Sequence, residues 1–184
     1  MKTSHVLLAL VLLVACQKTA NITQKITPPT AKTTTAVTTG TDTIPDKASF
    51  KILLAKDSVN TDETVFVFNK TSGLNYDPSG DAPYFTGTGQ VSLASISGDG
   101  RDLAINKLPY TPGMSVGLDV HTKTDGTFLL KMSYENNIPV NKQVWLRDTY
   151  LKDSLNIRTG NYNFDVVKAD TNSFGRKRFK LVIK

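Results

Sequence analysis

The sequence predicts an all-β fold, a two-sheet antiparallel β-sandwich of the immunoglobulin-like or jelly-roll-like kind, with a β-barrel as the alternative. Three observations support this prediction. From Phe50 onward, apolar and polar residues alternate in short runs. Turn-forming residues interrupt these runs roughly every ten positions, and no stretch of any length has the periodicity of a helix. Many short alternating strands of this kind form sandwiches or barrels.

Nine strands are expected, each an alternating run bounded by turn residues. They are 50–54, 64–68, 90–96, 102–107, 115–122, 127–134, 143–147, 162–167 and 178–183. The turn at Asp125-Gly126 has the clearest hairpin signal. On the strand after this turn, four apolar residues share one face: Phe128, Leu130, Met132 and Tyr134. They are expected to pack against three apolar residues of the strand before the turn, Val116, Leu118 and Val120.

The N-terminal residues are organised like a lipoprotein signal. Lys2 precedes an apolar run, 6–14, which is too short to span a bilayer but has the length of a signal-peptide core. The run ends in Leu13-Val14-Ala15-Cys16, which resembles a bacterial lipobox, where the signal is cleaved before the cysteine and the cysteine is acylated. An ordinary secretory signal with an incidental cysteine is the alternative. We expect residues 1–15 to be a lipoprotein signal peptide and Cys16 to be lipidated.

Residues 16–47 are expected to be the lipidated cysteine followed by a disordered tether. Eleven threonines and three prolines occur in 17–47, with almost no apolar periodicity. Treated as a flexible coil, this segment has an end-to-end distance of roughly 30 Å. It would hold the folded domain, residues 48–184, away from a membrane surface.

Cysteine and histidine usage excludes several chemistries. Cys16 is the only cysteine, so its acylation leaves no disulfide, thiol nucleophile or cysteine-ligated metal. His5 belongs to the predicted signal, so His121 alone cannot form a histidine cluster for zinc or iron. Because Val116, Leu118 and Val120 alternate with it, we expect His121 on the solvent side of a half-buried strand.

The chain has a formal net charge of +6. Its C-terminal cations surround an alternating strand, and we interpret them as a charged edge strand that resists edge-to-edge pairing. Binding of nucleic acid is not expected, because no nucleic-acid motif accompanies them in a chain with an export signal. These cations are Arg176, Lys177, Arg178, Lys180 and Lys184.

Short motifs follow one another in order from residue 50 to 184. They are Glu63-Thr64-Val65-Phe66-Val67-Phe68-Asn69, Tyr76-Asp77, Asp81-Ala82, Leu103-Ala104-Ile105-Asn106-Lys107-Leu108-Pro109, Val144-Trp145-Leu146-Arg147-Asp148, Leu155, Gly160-Asn161-Tyr162-Asn163-Phe164 and Arg178-Phe179-Lys180-Leu181. Their order and spacing resemble a β-sandwich module common in secreted and surface proteins of Bacteroidota, where it typically precedes a type IX secretion sorting domain. The resemblance implies a non-catalytic module of adhesion, assembly or display, and it brings no catalytic residues.

The same resemblance implies an outer-membrane location. The sequence ends at Lys184, directly after the last predicted strand, so we expect the lipid rather than a sorting domain to anchor it. Surface-displayed lipoproteins of these bacteria often carry acidic residues after the cysteine. Gln17, Lys18 and Thr19 are not acidic, so the periplasmic face and the cell surface are both open. The expected partners are the membrane, through the lipid anchor, and a protein or glycan of unknown identity, but not nucleic acid.

Asp77, Ser79 and Asp81 place three oxygen-bearing side chains at alternate positions of a turn, like the first half of a calcium loop. No glycine follows Asp81 and the twelfth place lacks a glutamate, which excludes an EF-hand. The alternatives are an irregular calcium site and a plain turn capped by its own carboxylates. No other cofactor is expected.

Aromatic residues flank the loop 69–89. Tyr76, Tyr84 and Phe85 are interpreted either as a sugar-stacking platform or as loop anchors. Thr43 lies in a tripeptide, Asp42-Thr43-Ile44, that resembles the O-glycosylation acceptor pattern of these bacteria. No pair of carboxylates suggests glycoside hydrolysis. We therefore expect a binding or structural module rather than an enzyme, with a glycan-binding accessory protein of a polysaccharide-utilisation system as the alternative.

Overall fold

A computed structural model describes residues 42–184. The regular elements in this range are strands and one short 3-10 helix, so the predicted all-β class is confirmed. None of the helical structure in this range is long and apolar enough to cross a membrane. The strands are β1 (Ser49–Ala55), β2 (Thr61–Phe68), β3 (Ala82–Pro83), β4 (Val91–Ile96), β5 (Asp102–Leu108), β6 (Ser115–Thr122), β7 (Gly126–Asn136), β8 (Val144–Asp148), β9 (Asp153–Asn156), β10 (Tyr162–Val166) and β11 (Phe179–Ile183), and the 3-10 helix is Thr171–Ser173.

Hydrogen bonds join the strands into one continuous sheet, in the order β10-β7-β1-β2-β5-β4-β6-β11-β8-β9, with β3 on β5. Strand β4 makes it continuous, because it pairs with β6 along its whole length and with β5 through Ser95 and Ile96. Strands β2 and β5 run parallel, since the chain crosses over through β3 and β4 between them. The sheet therefore differs from the predicted pair of antiparallel sheets in its continuity and in this parallel pair.

The core lies between the inward faces of the strands. Along β1, Phe50, Ile52 and Leu54 are fully buried and alternate with partly buried residues. The rings of Phe50 and Phe66 stack with centroids 4.7 Å apart, which joins β1 to β2. The alternation that predicts the strands in the sequence is thus the alternation between core and solvent.

The described residues ahead of the predicted domain boundary at 48 pack against the domain. Ile44 is 8% exposed and belongs to the core, and the Asp42 carboxylate forms an ion pair with the buried Lys142 ammonium. Thr43, the glycosylation candidate, is exposed between them. Cys16, the predicted signal peptide and the tether up to residue 41 lie outside the described residues. The part of the predicted tether that is described, 42–47, packs against the domain.

The hairpin predicted at 125–126 is wrong. Strand β6 pairs with β4 and β11, whereas β7 pairs with β1 and β10. Gly126 has a φ of 137°, a conformation that favours glycine, and the turn here connects strands that are not neighbours. Phe128 and Leu130 still face the core, but Tyr134 is 50% exposed. A local turn signal predicted the turn correctly and the partner strand wrongly.

The interpretation of the last strand as a charged edge strand is also wrong. Strand β11 is internal, paired with β6 on one side and β8 on the other. Its cations therefore cannot protect a sheet edge. Arg178 is fully buried, and Lys180 is exposed on the outer face.

The Arg178 guanidinium lies in the core with its counterion. Its Nη2 is 2.8 Å from Oδ2 of Asp148, and both side chains are 0% exposed. Its carbon Cζ lies 4.8 Å from the ring centroids of Phe164 and of Phe179. It also donates to the carbonyl oxygens of Asp165 and Ser173. The charge is buried together with the acceptors that a buried guanidinium needs.

Candidate functional site

A cavity of about 390 Å³ lies on the outer face of the sheet, where β4, β5 and β6 are neighbours. Ser92 and Ala94 of β4 lie opposite His121 and Asp119 of β6 in the antiparallel register. Opposite residues share a face, and the small side chains of Ser92 and Ala94 leave room beside the two larger ones. The segment 84–90 contributes to the rest of the wall. We refer to this space as the Tyr84–His121 cavity.

His121 is paired with a carboxylate inside this cavity. Its Nε2 lies 2.9 Å from Oδ1 of Asp119, whose side chain is only 10% exposed. Among the described residues, no other donor reaches that oxygen. The contact with Asp119 is the main cause that raises the pKa of His121, while burial acts in the opposite direction. The expected solvent-side histidine is thus half-exposed but has an anionic partner.

Arg176 connects two carboxylates of the cavity. Its Nη1 lies 2.6 Å from Oδ1 of Asp102 and 3.8 Å from Oδ2 of Asp119. Burial raises the pKa of Asp102, the nearby Asp119 charge raises it further, and Arg176 opposes both. The cavity is therefore lined by two carboxylates, the His121 imidazole and Lys123, and the Arg176 guanidinium contacts both carboxylates from beside it. The two carboxylates can accept hydrogen bonds from the hydroxyl or amino groups of a ligand.

Tyr84 forms a fixed wall of the cavity. Its hydroxyl donates to Oδ2 of Asp62 at 2.6 Å, and the backbone N–H of Leu93 donates to the same oxygen at 2.8 Å. Burial, followed by the bond to Asp62, raises the pKa of Tyr84 to about 12. The hydroxyl therefore stays protonated at neutral pH, and the ring is held against the sheet.

The three aromatic residues of the predicted sugar platform have different surroundings. Tyr84 lines the cavity, and Phe85 beside it is 83% exposed. Tyr76 does not line it; the Arg101 guanidinium lies over its ring, 4.6 Å from the centroid. No aromatic contact within residues 42–184 joins the three rings. Of the three candidates, only Tyr84 lines the cavity.

The turn that contains Asp77, Ser79 and Asp81 uses its carboxylates internally. Asp77 accepts from the backbone N–H and the hydroxyl of Ser79, at 2.9 and 2.7 Å. Asp81 accepts from the backbone N–H groups of Asp77 and Lys107, at 2.8 and 2.7 Å. All four carboxylate oxygens thus have donors, as in a self-capped turn. In the described part of the chain, no three His, Cys, Asp or Glu side chains are grouped as a metal site requires.

Sequence reasoning missed Asp119 and Arg176 as site residues. Asp119 and His121 are two positions apart on one predicted strand, which is a weak signal for a shared face. The approach of Asp102 and Arg176 depends on strand neighbours far apart in sequence. Comparison of the chain with protein-family models, with curated proteins and with solved structures finds no match in any of the three.

The pair of His121 and Asp119 predicts a pH dependence. The pKa of His121 in the fold is raised above its unfolded value of about 6.5, so the pair stabilises the fold fully below that pH. This contribution is lost as the pH rises through the folded pKa. Asp119→Asn is expected to lower the pKa of His121, measured by NMR titration of its imidazole. Asp153→Asn, an exposed change on β9, is the control, and an unchanged His121 pKa in Asp119→Asn would contradict the pairing.

Proposed function

We propose that this chain is an outer-membrane lipoprotein of the Bacteroidota surface-protein type that presents its β-domain as a non-catalytic module for binding or assembly. The anchor is proposed from the signal-like segment 1–15 and Cys16. The site proposed for binding is the Tyr84–His121 cavity. The observation that carries this assignment is the fixed polar lining, in which Asp62 holds Tyr84 and Arg176 holds two carboxylates.

A glycan is the ligand class that this lining favours. Sugars present hydroxyl groups and an apolar ring face, and binding sites for them combine acceptors with an aromatic surface. Asp102 and Asp119 supply the acceptors, and Tyr84 supplies a ring at the wall. This supports a glycan-binding accessory protein as the specific form of the function.

A glycoside hydrolase is the second candidate, because burial and Asp119 raise the pKa of Asp102 as a general acid requires. Arg176 is the argument against it. Its guanidinium contacts both carboxylates and opposes the rise in the pKa of Asp102, whereas hydrolysis needs one protonated carboxyl and a water or sugar between the two. The arrangement suits hydrogen bonding to a bound sugar better than proton transfer.

The test is retention on an array of polysaccharides. The wild-type protein is expected to be retained, and Tyr84→Ala to lose affinity about tenfold or more, because it removes the ring and its hydroxyl. Tyr134→Ala, which removes a half-exposed tyrosine of β7, is the matched control and should be retained like the wild type. If the alanine variant fails to fold, Tyr84→Phe is the replacement variant, because it keeps the ring and removes only the hydroxyl.

Three results would count against this function. Absence of retention of the wild-type protein would refute glycan binding, and full retention of Tyr84→Ala would refute the site. Release of reducing sugar ends from the retained polysaccharide would favour the hydrolase, and Asp102→Asn should then abolish that release.

A further inference from the structure

The outer face of β11 and β8 is basic. Lys180 lies directly opposite Arg147, and Val182 directly opposite Trp145. The backbones of Lys184 and Gln143 exchange two hydrogen bonds of 2.9 Å, which continues the same register. Opposite residues and alternate residues of paired strands project from one face. Three cations, Arg147, Lys180 and Lys184, thus share a face with Trp145, and we call these four residues the basic face.

The cations of the basic face have no counterions within the domain. None of the ion pairs formed within residues 42–184 includes Arg147, Lys180 or Lys184. The row that contains Lys180 and Arg147 is flanked by Gly117 on β6 and Ser154 on β9, neither of which is charged. Like charges directly opposite each other destabilise a pair of strands. Protection of a sheet edge does not explain the presence of these three cations, because β11 is internal.

Trp145 supplies an aromatic surface among these charges. Its Nε1 donates to Oε1 of Gln143 at 2.8 Å, which fixes the indole along the strand. The Lys184 ammonium lies 5.7 Å from its ring centroid, and Arg147 is two positions along the same strand. Beside Lys180, a cavity of about 290 Å³ is lined by Ser115, Gly117 and Arg176 among others. The face therefore offers a ring, three cations and a recess beside Lys180.

We infer that the basic face binds an acidic polysaccharide, whose anionic groups pair with Arg147, Lys180 and Lys184 while a sugar ring packs on Trp145. Charge complementarity identifies the ligand as anionic, and the single fixed ring among strand cations favours a sugar chain. A lipid surface is a poorer fit, because Val182 is only 7% exposed and Trp145 is the one apolar side chain that this face presents for insertion. The site is separate from the Tyr84–His121 cavity, and the inference does not depend on that cavity's ligand.

Binding of the full-length protein to polygalacturonate and to dextran sulfate, measured by isothermal titration calorimetry in low salt, tests the inference. Neutral dextran is the ligand control. The wild type should bind at least one acidic polymer, with affinity that falls as salt rises, and should not bind dextran. Arg147→Gln/Lys180→Gln should raise Kd about tenfold. Because this double variant removes a repulsion, its melting temperature should be equal to that of the wild type or higher.

A matched variant separates a site from overall charge. Lys70→Gln/Lys131→Gln makes the same charge change at two positions outside the basic face and should leave Kd within about twofold. Trp145→Ala should weaken binding without any change of charge. The inference is overturned if neither acidic polymer binds or if the control variant loses as much affinity as Arg147→Gln/Lys180→Gln. It is also overturned if Trp145→Ala binds like the wild type, or if phosphatidylglycerol vesicles or duplex DNA bind as tightly.

Discussion

Asp148→Asn is expected to destabilise the fold by about 3–5 kcal/mol, because it leaves the Arg178 guanidinium buried without its counterion. Both side chains are 0% exposed, so water cannot replace the lost carboxylate. The same carboxylate accepts from the backbone N–H groups of Tyr150 and Leu151 and from the Tyr162 hydroxyl, and these bonds are weakened as well. Urea unfolding of the wild type and the variant measures the difference in the free energy of unfolding.

Two further variants make the expectation specific. Asp153→Asn makes the same chemical change at an exposed position of β9, and we expect a change within about 0.5 kcal/mol. Asp148→Leu/Arg178→Met replaces both charges by apolar groups and should recover much of the loss, since no unpaired charge is then buried. A loss below about 1 kcal/mol in Asp148→Asn would show that the ion pair is not a major source of stability.

Removal of the acyl acceptor is expected to release the protein from membranes. Each buried methylene of an acyl chain contributes about 0.8 kcal/mol to membrane affinity, and stable anchoring takes two such signals. A Cys16→Ala variant, exported with a conventional cleavable signal in place of residues 1–15, should therefore move from the detergent phase to the aqueous phase in detergent partitioning. Mass spectrometry of the N-terminal peptide should find acyl chains on Cys16 of the wild type.

The control for this experiment addresses the cations of the basic face. The Arg147→Gln/Lys180→Gln variant keeps Cys16 and should stay in the detergent phase at both low and high salt, because acyl anchoring does not depend on surface charge. An unacylated mature N-terminus in the wild type would contradict the proposed anchor.

The strands were largely predictable from local sequence. Eight expected ranges agree with the observed strands within two residues at each end, and β2 begins three residues early, at Thr61. The two that were not expected, β3 and β9, are two and four residues long and lack an apolar alternation. They form because a neighbouring strand offers backbone partners: β5 pairs with β3, and β8 pairs with β9.

The candidate site was only partly predictable. Tyr84 was interpreted as part of a sugar-stacking platform or as a loop anchor; it lines the cavity, and its hydroxyl is bonded to Asp62. Asp119 and Arg176 were not assigned to any site, and the approach of Asp102 to Arg176 was not expected. The order of strands places these three together, and the apparent hairpin at 125–126 shows how a local turn signal gives the wrong order. The same strand order places the C-terminal cations on an internal strand of the sheet rather than at its edge.

The sequence by itself determined the all-β class and, for most of the predicted strands, which side faces the core, because apolar periodicity acts within a few residues. It also determined the expectation of an anchor at Cys16. Only the tertiary structure decided that Lys180 stands opposite Arg147, that Arg176 joins Asp102 to Asp119, and that Arg178 is buried with Asp148. These contacts join residues between 30 and 74 positions apart, and the pairing of distant strands depends on the packing of the whole core rather than on any local segment.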